Sequence, residues 1–395
     1  MAQLLAAQSK GEEIGLGRWA RRAYGFDEIA LVPGTQTMDP LDVDLSFNLG
    51  SVRLSIPFIA SAMDGVVDVA FAVAMTCLGG MAVLNLDGVQ TRFDDPRPII
   101  REIVDSPAGQ LHAVFNKVYA EPVKDHLIRA RIESIKQAGG IAAVSSVPAL
   151  AQRRAQLAAS AGADVFVVQG TVLTARHRSS HGPALDLVRL CEESPIPVLA
   201  GNCVSYGAAL DLMRCGVAGI LVGVGPGAAC TTRGVLGIGV PQITATADVA
   251  AARSEYWDES SRYVAVITDG GMRVGGDVTK ALALGADAVM IGSPLGAAVE
   301  AASGGYNWGM ATADVSLPRG TRIAIGTTAT LEQILIGPAE VDDGTQNLVG
   351  AVRSALGVCG AASIQEFHST EIVIAPELVS EGKAWQRSQR VGMGK

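Results

Sequence analysis

Short apolar runs, each ending on a small or polar residue, recur along this chain with helical patterns between them. The runs are Pro57–Met63, Met81–Asn85, Ile141–Val147, Asp164–Gly170, Pro197–Asn202, Gly219–Gly225, Tyr263–Gly271 and Ala288–Pro294. Runs this short and this continuously apolar predict parallel strands buried on both faces. Between them, Arg153–Ala161 closes on Gly162 and Tyr206–Cys215 closes on Gly216, and Asp277–Leu284 runs from a capping Asp277 to Gly285. Glycine just past the last helical residue is a common stop, because it adopts left-handed dihedrals without strain. A helix, then Gly-Ala-Asp or Gly-Val-Ala, then a strand occurs at Gly162, Gly216 and Gly285.

Such alternation predicts an α/β fold made of eight βα units. A doubly wound sheet should carry G-x-G-x-x-G opening a helix after an early strand, and none follows the first strand here. The expected architecture is therefore a single (β/α)8 barrel. Residues 1–56 form an N-terminal arm, 57–371 the barrel with a short flap at 311–322, and 372–395 a tail. Its charged and polar stretch, Glu377–Lys395, is expected to order only by packing on something, such as a neighbouring subunit.

Composition narrows the function classes. Hydrophobic residues make up 49% of 395 positions, aromatics only 5%, and glycine occurs 46 times, so the core is aliphatic and the turns are tight. A net charge of -8 argues against nucleic acid or an anionic membrane as the main partner. The chain contains no apolar run of membrane-spanning length and begins without a secretory signal pattern. Its six cysteines form no CxxC pair and have no histidine at metal-ligand spacing, which predicts free thiols in a reducing cytoplasm. Most are expected to be small core residues.

In a barrel of this kind the chemistry sits at the C-terminal ends of the strands. Those ends are Ser61, Asn85, Ser145, Gln169, Asn202, the loop 223–232, Asp269 and Gly292-Ser293. Any one of them alone reads as turn chemistry, but together they outline a pocket. The loop Gly223-Val-Gly-Pro-Gly-Ala-Ala-Cys-Thr-Thr-Arg233 is the most informative stretch. Its glycines and proline make a stiff backbone whose carbonyls could coordinate a monovalent cation. Cys230 follows at once, beside Thr231 and Thr232, where an electropositive loop favours a nucleophilic thiolate. After the seventh and eighth strands, Asp269-Gly270-Gly271 and Gly292-Ser293 suit a phosphate held by backbone amides and a ribose held by the aspartate. A nucleotide ligand follows, with a purely structural turn as the alternative.

These residues closely resemble the IMP dehydrogenase/GMP reductase family. The resemblance rests on Gly223–Arg233, Gly239–Gln242, Ala62-Met63-Asp64, Gly201-Asn202, Asp269-Gly270-Gly271, Met290–Ser293 and the opening Tyr24–Pro33. It implies that Cys230 attacks C2 of a purine, and that Ser61, Met63, Asn202, Asp269, Gly270, Gly271, Gly292 and Ser293 hold the nucleotide, with Gly309 and Met310 against the base. It also implies NAD as cofactor, along Gln169, Gly170, Thr171, Gly223 and Gly225. A potassium ion is implied on carbonyls of Gly225, Gly227 and Cys230, completed by Glu381, Gly382 and Lys383 of a neighbour in a homotetramer or octamer.

Several positions depart from the family pattern. Residues 86–140 are too few to hold the usual pair of CBS modules. Gln169 stands where an aspartate is expected to grip the NAD ribose, and Ala228 where a phosphate-binding serine is expected. The flap lacks the Arg-Tyr pair that activates water, so Arg319, Arg322 or Thr232 is expected to take that role. The pattern is most like the short, CBS-lacking IMP dehydrogenase-related branch, and implies oxidation of IMP to XMP with NAD+. GMP reductase is the second reading, weakened because Asp314 falls one position beyond the acid that such enzymes use. A non-catalytic nucleotide-binding protein is the third, opposed by the intact Cys230-Thr231-Thr232.

Overall fold

The computed structural model describes residues 11–180, 184–309 and 321–394. Each of the eight apolar runs forms one strand, the fifth extending one residue past its run: β1 (Phe58–Ala60), β2 (Met81–Asn85), β3 (Ala143–Ser146), β4 (Val165–Gln169), β5 (Val198–Cys203), β6 (Gly219–Val222), β7 (Ala265–Asp269) and β8 (Ala288–Ile291). All pair in parallel, in chain order, and the barrel closes where Val289, Met290 and Ile291 meet Phe58, Ile59 and Ala60. The chain thus folds as a (β/α)8 barrel.

Successive strand residues point to opposite faces. Ile59, Val83, Val165, Val167, Leu199, Leu221, Ile267 and Met290 face inward and fill the barrel. Their neighbours Phe58, Val144, Phe166, Val168, Ile220, Val222 and Val266 pack outward under the helices. Both faces are apolar, which is why no polar alternation shows in the sequence.

Part of the N-terminal arm closes the barrel floor. A hairpin pairs Phe47–Leu49 with Val52–Leu54, and Phe47, Leu49 and Leu54 join the interior cluster. They pack with Val52, Ile141 and Ala218, which precede β1, β3 and β6, so the plug lies at the strand N-termini. The opposite mouth is left for the site. The first residues of the tail order on the chain's own arm, because Ile372–Ile374 pairs antiparallel with Ile29–Leu31.

The helix-stop glycines behave as the sequence implied: Gly162, Gly216 and Gly285 have φ of +89°, +94° and +102°. Asp277, however, is not an N-cap. The helix Gly275–Ala283 begins two residues earlier, and the Asp277 carboxylate reaches back to accept from the Arg273 backbone N–H at 2.9 Å. Of the cysteines only Cys203 is buried, whereas Cys77 and Cys230 are exposed and the other three lie between. The core takes its small residues from alanine instead. Among the described residues no helix is long and apolar enough to cross a membrane.

Between β2 and β3 the chain carries a compact helical pair, Arg97–Asp105 and Leu111–Ala120. Its apolar face, with Ile100, Ile103, Phe115, Val118 and Tyr119, packs on Trp308 at the rim of the barrel mouth.

Candidate active site

Every strand end singled out in the sequence opens on one cavity of about 970 Å³, lined by Ser61, Asn85, Ser145, Gln169, Asn202, Gly223, Asp269, Gly292 and Ser293 among others. The barrel brings them together because parallel strands of matched register end at one rim.

Cys230 stands at that rim on the loop after β6. Its backbone N–H donates to the carbonyl of Gly227 at 3.0 Å, which closes the loop into a tight turn. Its Sγ lies 3.2 Å from the hydroxyl of Thr232, at the start of the short helix Thr232–Leu236. The thiol is exposed to the cavity, whereas burial pushes the Cys203 and Cys191 thiols up to about 12. Only a cysteine placed like Cys230 offers an accessible sulfur to a ligand in this cavity.

The loops after β6 and β7 press on each other. Gly223 has φ of +150°, and a Cβ there would sit 2.4 Å from the Asp269 carbonyl oxygen. No other residue fits between these strand ends. Beneath the contact lies Gln242, whose Nε2 donates to the carbonyls of Val222 (3.0 Å), Asp269 (2.9 Å) and Gly270 (3.2 Å). One buried amide therefore ties the cysteine loop to the aspartate loop. Gln242 was legible only as part of a motif, and its bracing role depends on folding.

Asp269 is the acceptor at the centre of the mouth. Asn202 Nδ2 donates to its Oδ2 at 2.8 Å and Gln169 Nε2 donates to the same oxygen at 3.2 Å. Enclosure by protein pushes its carboxyl up to about 6, although hydrogen bonds from Asn202, Gln169 and Ser61 hold it down. Such a carboxylate, open to the cavity on its free side, is suited to accept from hydroxyl groups of a ligand.

Met63, Gly292, Ser293 and Gly309 complete that side of the cavity, with Gly270 and Gly271 beyond Asp269. A Cβ at Gly292 would lie 2.9 Å from Met63 Sδ, so the loops after β1 and β8 are also in close contact. Asn307, which the sequence did not suggest, is buried here and donates through Nδ2 to Ser293 Oγ at 3.2 Å. Gly170, Thr171, Gly225 and Gly227 line the cavity as well. So do Asp87 and Arg92, from the loop after β2, which sequence reasoning passed over because they lie past the strand end.

Two expected groups lie elsewhere. Arg322 does not line the cavity: its guanidinium donates to the carbonyls of Ile103 and Val104 and lies 5.5 Å from the Tyr306 ring centroid. It fastens the helical pair to the strand Arg322–Ala324 and is drawn away from the chemistry by those carbonyls. Glu381, Gly382 and Lys383 are also absent from the lining of their own chain's cavity. Met310, Asp314 and Arg319 fall outside the described residues.

The fit to implied groups is uneven. No cluster of three His, Cys, Asp or Glu side chains among the described residues could hold a metal, so a cation would need backbone carbonyls. Gly225, Gly227 and Cys230 offer them on one turn, with the Gly227 oxygen already accepting one bond. At Gln169 the side chain is committed to Asp269 and Asn202 and presents no carboxylate to a cofactor ribose.

Comparison with known proteins adds independent findings. The family model described as "IMP dehydrogenase / GMP reductase domain" matches residues 23–312. An uncharacterized oxidoreductase of Mycolicibacterium smegmatis is 39% identical, over 92% of this chain and 99% of that relative. The inosine-5'-monophosphate dehydrogenase of Cryptosporidium parvum is 30% identical, over 86% of this chain and 89% of that protein. The crystal structure of an IMP dehydrogenase/GMP reductase-like protein from Corynebacterium glutamicum superposes with a TM-score of 0.88 at 34% identity, covering 94% of this chain and all of that one.

Proposed function

The chain belongs to the IMP dehydrogenase/GMP reductase family, and on that premise we propose that it is an IMP dehydrogenase acting through Cys230. The observation that carries this reading is an accessible thiol and a ribose-type acceptor, Cys230 and Asp269, opening on one cavity from adjacent strand ends.

Asp269, with Asn202 and Ser61, accepts from the ribose hydroxyls of IMP. Backbone groups of Gly270, Gly271, Gly292 and Ser293 take the phosphate. Glycine at three of these four positions lets the backbone come close. That leaves the purine pointing toward Met63, Gly309 and the cysteine loop.

Cys230 adds through sulfur to C2 of the purine, with Thr232 beside it holding or passing the thiol proton. NAD+, when bound, supplies the acceptor for the hydride that leaves C2. Water then attacks the same carbon, the C–S bond breaks, and XMP leaves with Cys230 restored. Arg322 is too far committed to activate that water, so Thr232 or Arg319 carries the role. Potassium on the carbonyls of Gly225, Gly227 and Cys230 would stiffen the loop. A homotetramer would bring Glu381–Lys383 of a neighbouring copy to that ion. NAD would lie along Gly170, Thr171, Gly223 and Gly225, without a ribose-gripping acid, because Gln169 is engaged with Asp269.

The test is an absorbance assay in potassium buffer with IMP plus NAD+ beside GMP plus NADPH, products identified, and a Cys230→Ala control. NADH and XMP appearing together, and lost in the control, support the dehydrogenase. IMP formed from GMP with NADPH consumed makes the protein a GMP reductase instead, and Asp314 the acid to test.

A further inference from the structure

Asp64 follows Met63 but points away from the cavity into the protein, where it is 1% exposed. Its Oδ2 accepts from the Val89 backbone N–H at 2.7 Å and from the Tyr119 hydroxyl at 2.9 Å. Tyr119 in turn accepts from the Trp308 indole N–H at 2.9 Å. Phe115 packs against both rings, with centroids 6.0 Å from Tyr119 and 6.3 Å from Trp308. Four separate segments meet in this chain of bonds: the loops after β1 and β2, the helix Leu111–Ala120 and the strand Tyr306–Trp308. Two of them end on cavity-lining residues, Met63 and Gly309.

A buried carboxyl with no cation bonded to it is a costly way to hold a fold together, since a neutral amide accepts the same two bonds. Its second oxygen, Oδ1, has no hydrogen-bond partner and is packed against Gly88, where a Cβ would lie 1.9 Å away. We propose that Asp64, Tyr119 and Trp308 are positioning residues that together set Met63 and Gly309 against the bound nucleotide. This rests on the nucleotide reading of the cavity.

Protonation of Asp64 sets the grip. Burial pushes its carboxyl up to about 6, with Asp87 adding to the rise and Val89, Tyr119 and Arg92 opposing it. Arg92 approaches from the loop after β2, its guanidinium 5.8 Å from the Tyr119 ring centroid. Above the transition the carboxylate receives charge-assisted bonds from Tyr119 and Val89, which are roughly twice as strong as neutral ones. Below it, those bonds weaken and the two rim residues loosen.

The experiment compares wild type, Asp64→Asn, Tyr119→Phe and Trp308→Phe in two readouts between about pH 5 and pH 8. The first is Trp308 emission, taken as the difference from Trp308→Phe, and it needs no ligand. Wild type should show a transition centred near pH 6. Asp64→Asn should abolish it, and Tyr119→Phe should move it to higher pH, because a bond that lowers the carboxyl's pKa is lost. The second readout is the KM for IMP against kcat. At pH 8, where Asp64 and Asp269 are both ionised, Asp64→Asn should raise KM about fivefold or more, with kcat changed less than about twofold.

Persistence of the Trp308 transition in Asp64→Asn, or a KM at pH 8 unchanged by that substitution, overturns the proposal. So does an unmoved midpoint in Tyr119→Phe, which keeps the test open if the Asn variant does not fold. Wild type that binds no IMP overturns the nucleotide reading, and with it the role assigned to the rim. The Trp308 titration then still decides whether Asp64 controls the bonds.

Discussion

The side-chain amide of Gln169 donates to Oδ2 of Asp269 across 3.2 Å, joining the end of β4 to the end of β7 across the barrel mouth. A position expected to serve the cofactor is thereby engaged with Asp269, the residue proposed to accept from the nucleotide's ribose. Gln169→Ala should therefore raise the KM for IMP by about tenfold, the cost of about one polar hydrogen bond to a charged group, and leave the KM for the dinucleotide nearly unchanged. Steady-state kinetics with each substrate varied in turn would check this. A change confined to the dinucleotide would return Gln169 to the cofactor.

The raised carboxyl of Asp269 gives a second prediction. Ribose hydroxyls need the ionised acceptor, so kcat/KM for IMP should fall as pH drops through about 6. Asn202→Ala removes the largest of the bonds holding that value down, and should move the acid limb to higher pH. Stability has the opposite sign. The folded-state value lies above the unfolded one, so this group's stabilising contribution is full below the unfolded value and is lost as pH rises through about 6. Asp269→Asn should accordingly raise the melting temperature of the ligand-free protein at pH 8 more than at pH 5 while abolishing turnover. Equal melting shifts at both pH values would contradict it.

Gln242 braces the loops that carry Cys230 and Asp269, and its loss should be felt in both. Gln242→Leu leaves three strand-end carbonyls without their donor and should cost about 2 kcal/mol of stability. The larger effect should fall on kcat, by roughly a hundredfold, because a displacement of about 1 Å at a nucleophile costs that much. Thermal melting and kcat measured on the same preparation would separate the two. Lost stability with unchanged kcat would show that the loops hold their spacing without Gln242.

Arg322 should behave as a structural residue. Arg322→Ala removes a charged donor from the carbonyls of Ile103 and Val104 and should lower stability by about 2 kcal/mol. Hydrolysis of the Cys230 adduct, followed by intact-mass spectrometry after rapid mixing, should proceed within about twofold of the wild-type rate. A stalled adduct would bring this arginine back to the water step.

The barrel was legible because its evidence is local and repeated. Eight apolar runs and the glycines at 162, 216 and 285 each report on their own neighbourhood, and chain order alone then dictates which strands adjoin. The strand-end rule also pointed to Asn202 and Asp269, and the glycine-rich run after β6 to Cys230, all of which line the cavity. Asp277 was misread because helix starts are set by backbone dihedrals that sequence marks only to within a turn.

What the tertiary structure decided was the direction of side chains with more than one possible partner. Gln169 could face a cofactor or Asp269, Arg322 a water or a helix end, and Asp64 the cavity or Tyr119. Each choice is made by groups 25 to 219 positions away in the chain. Composition and spacing carry no record of such distant partners, because a hydrogen bond depends on position to within an ångström. The sequence by itself determined the scaffold and the place of the loop that carries Cys230; packing determined which polar groups face the cavity and which serve the scaffold.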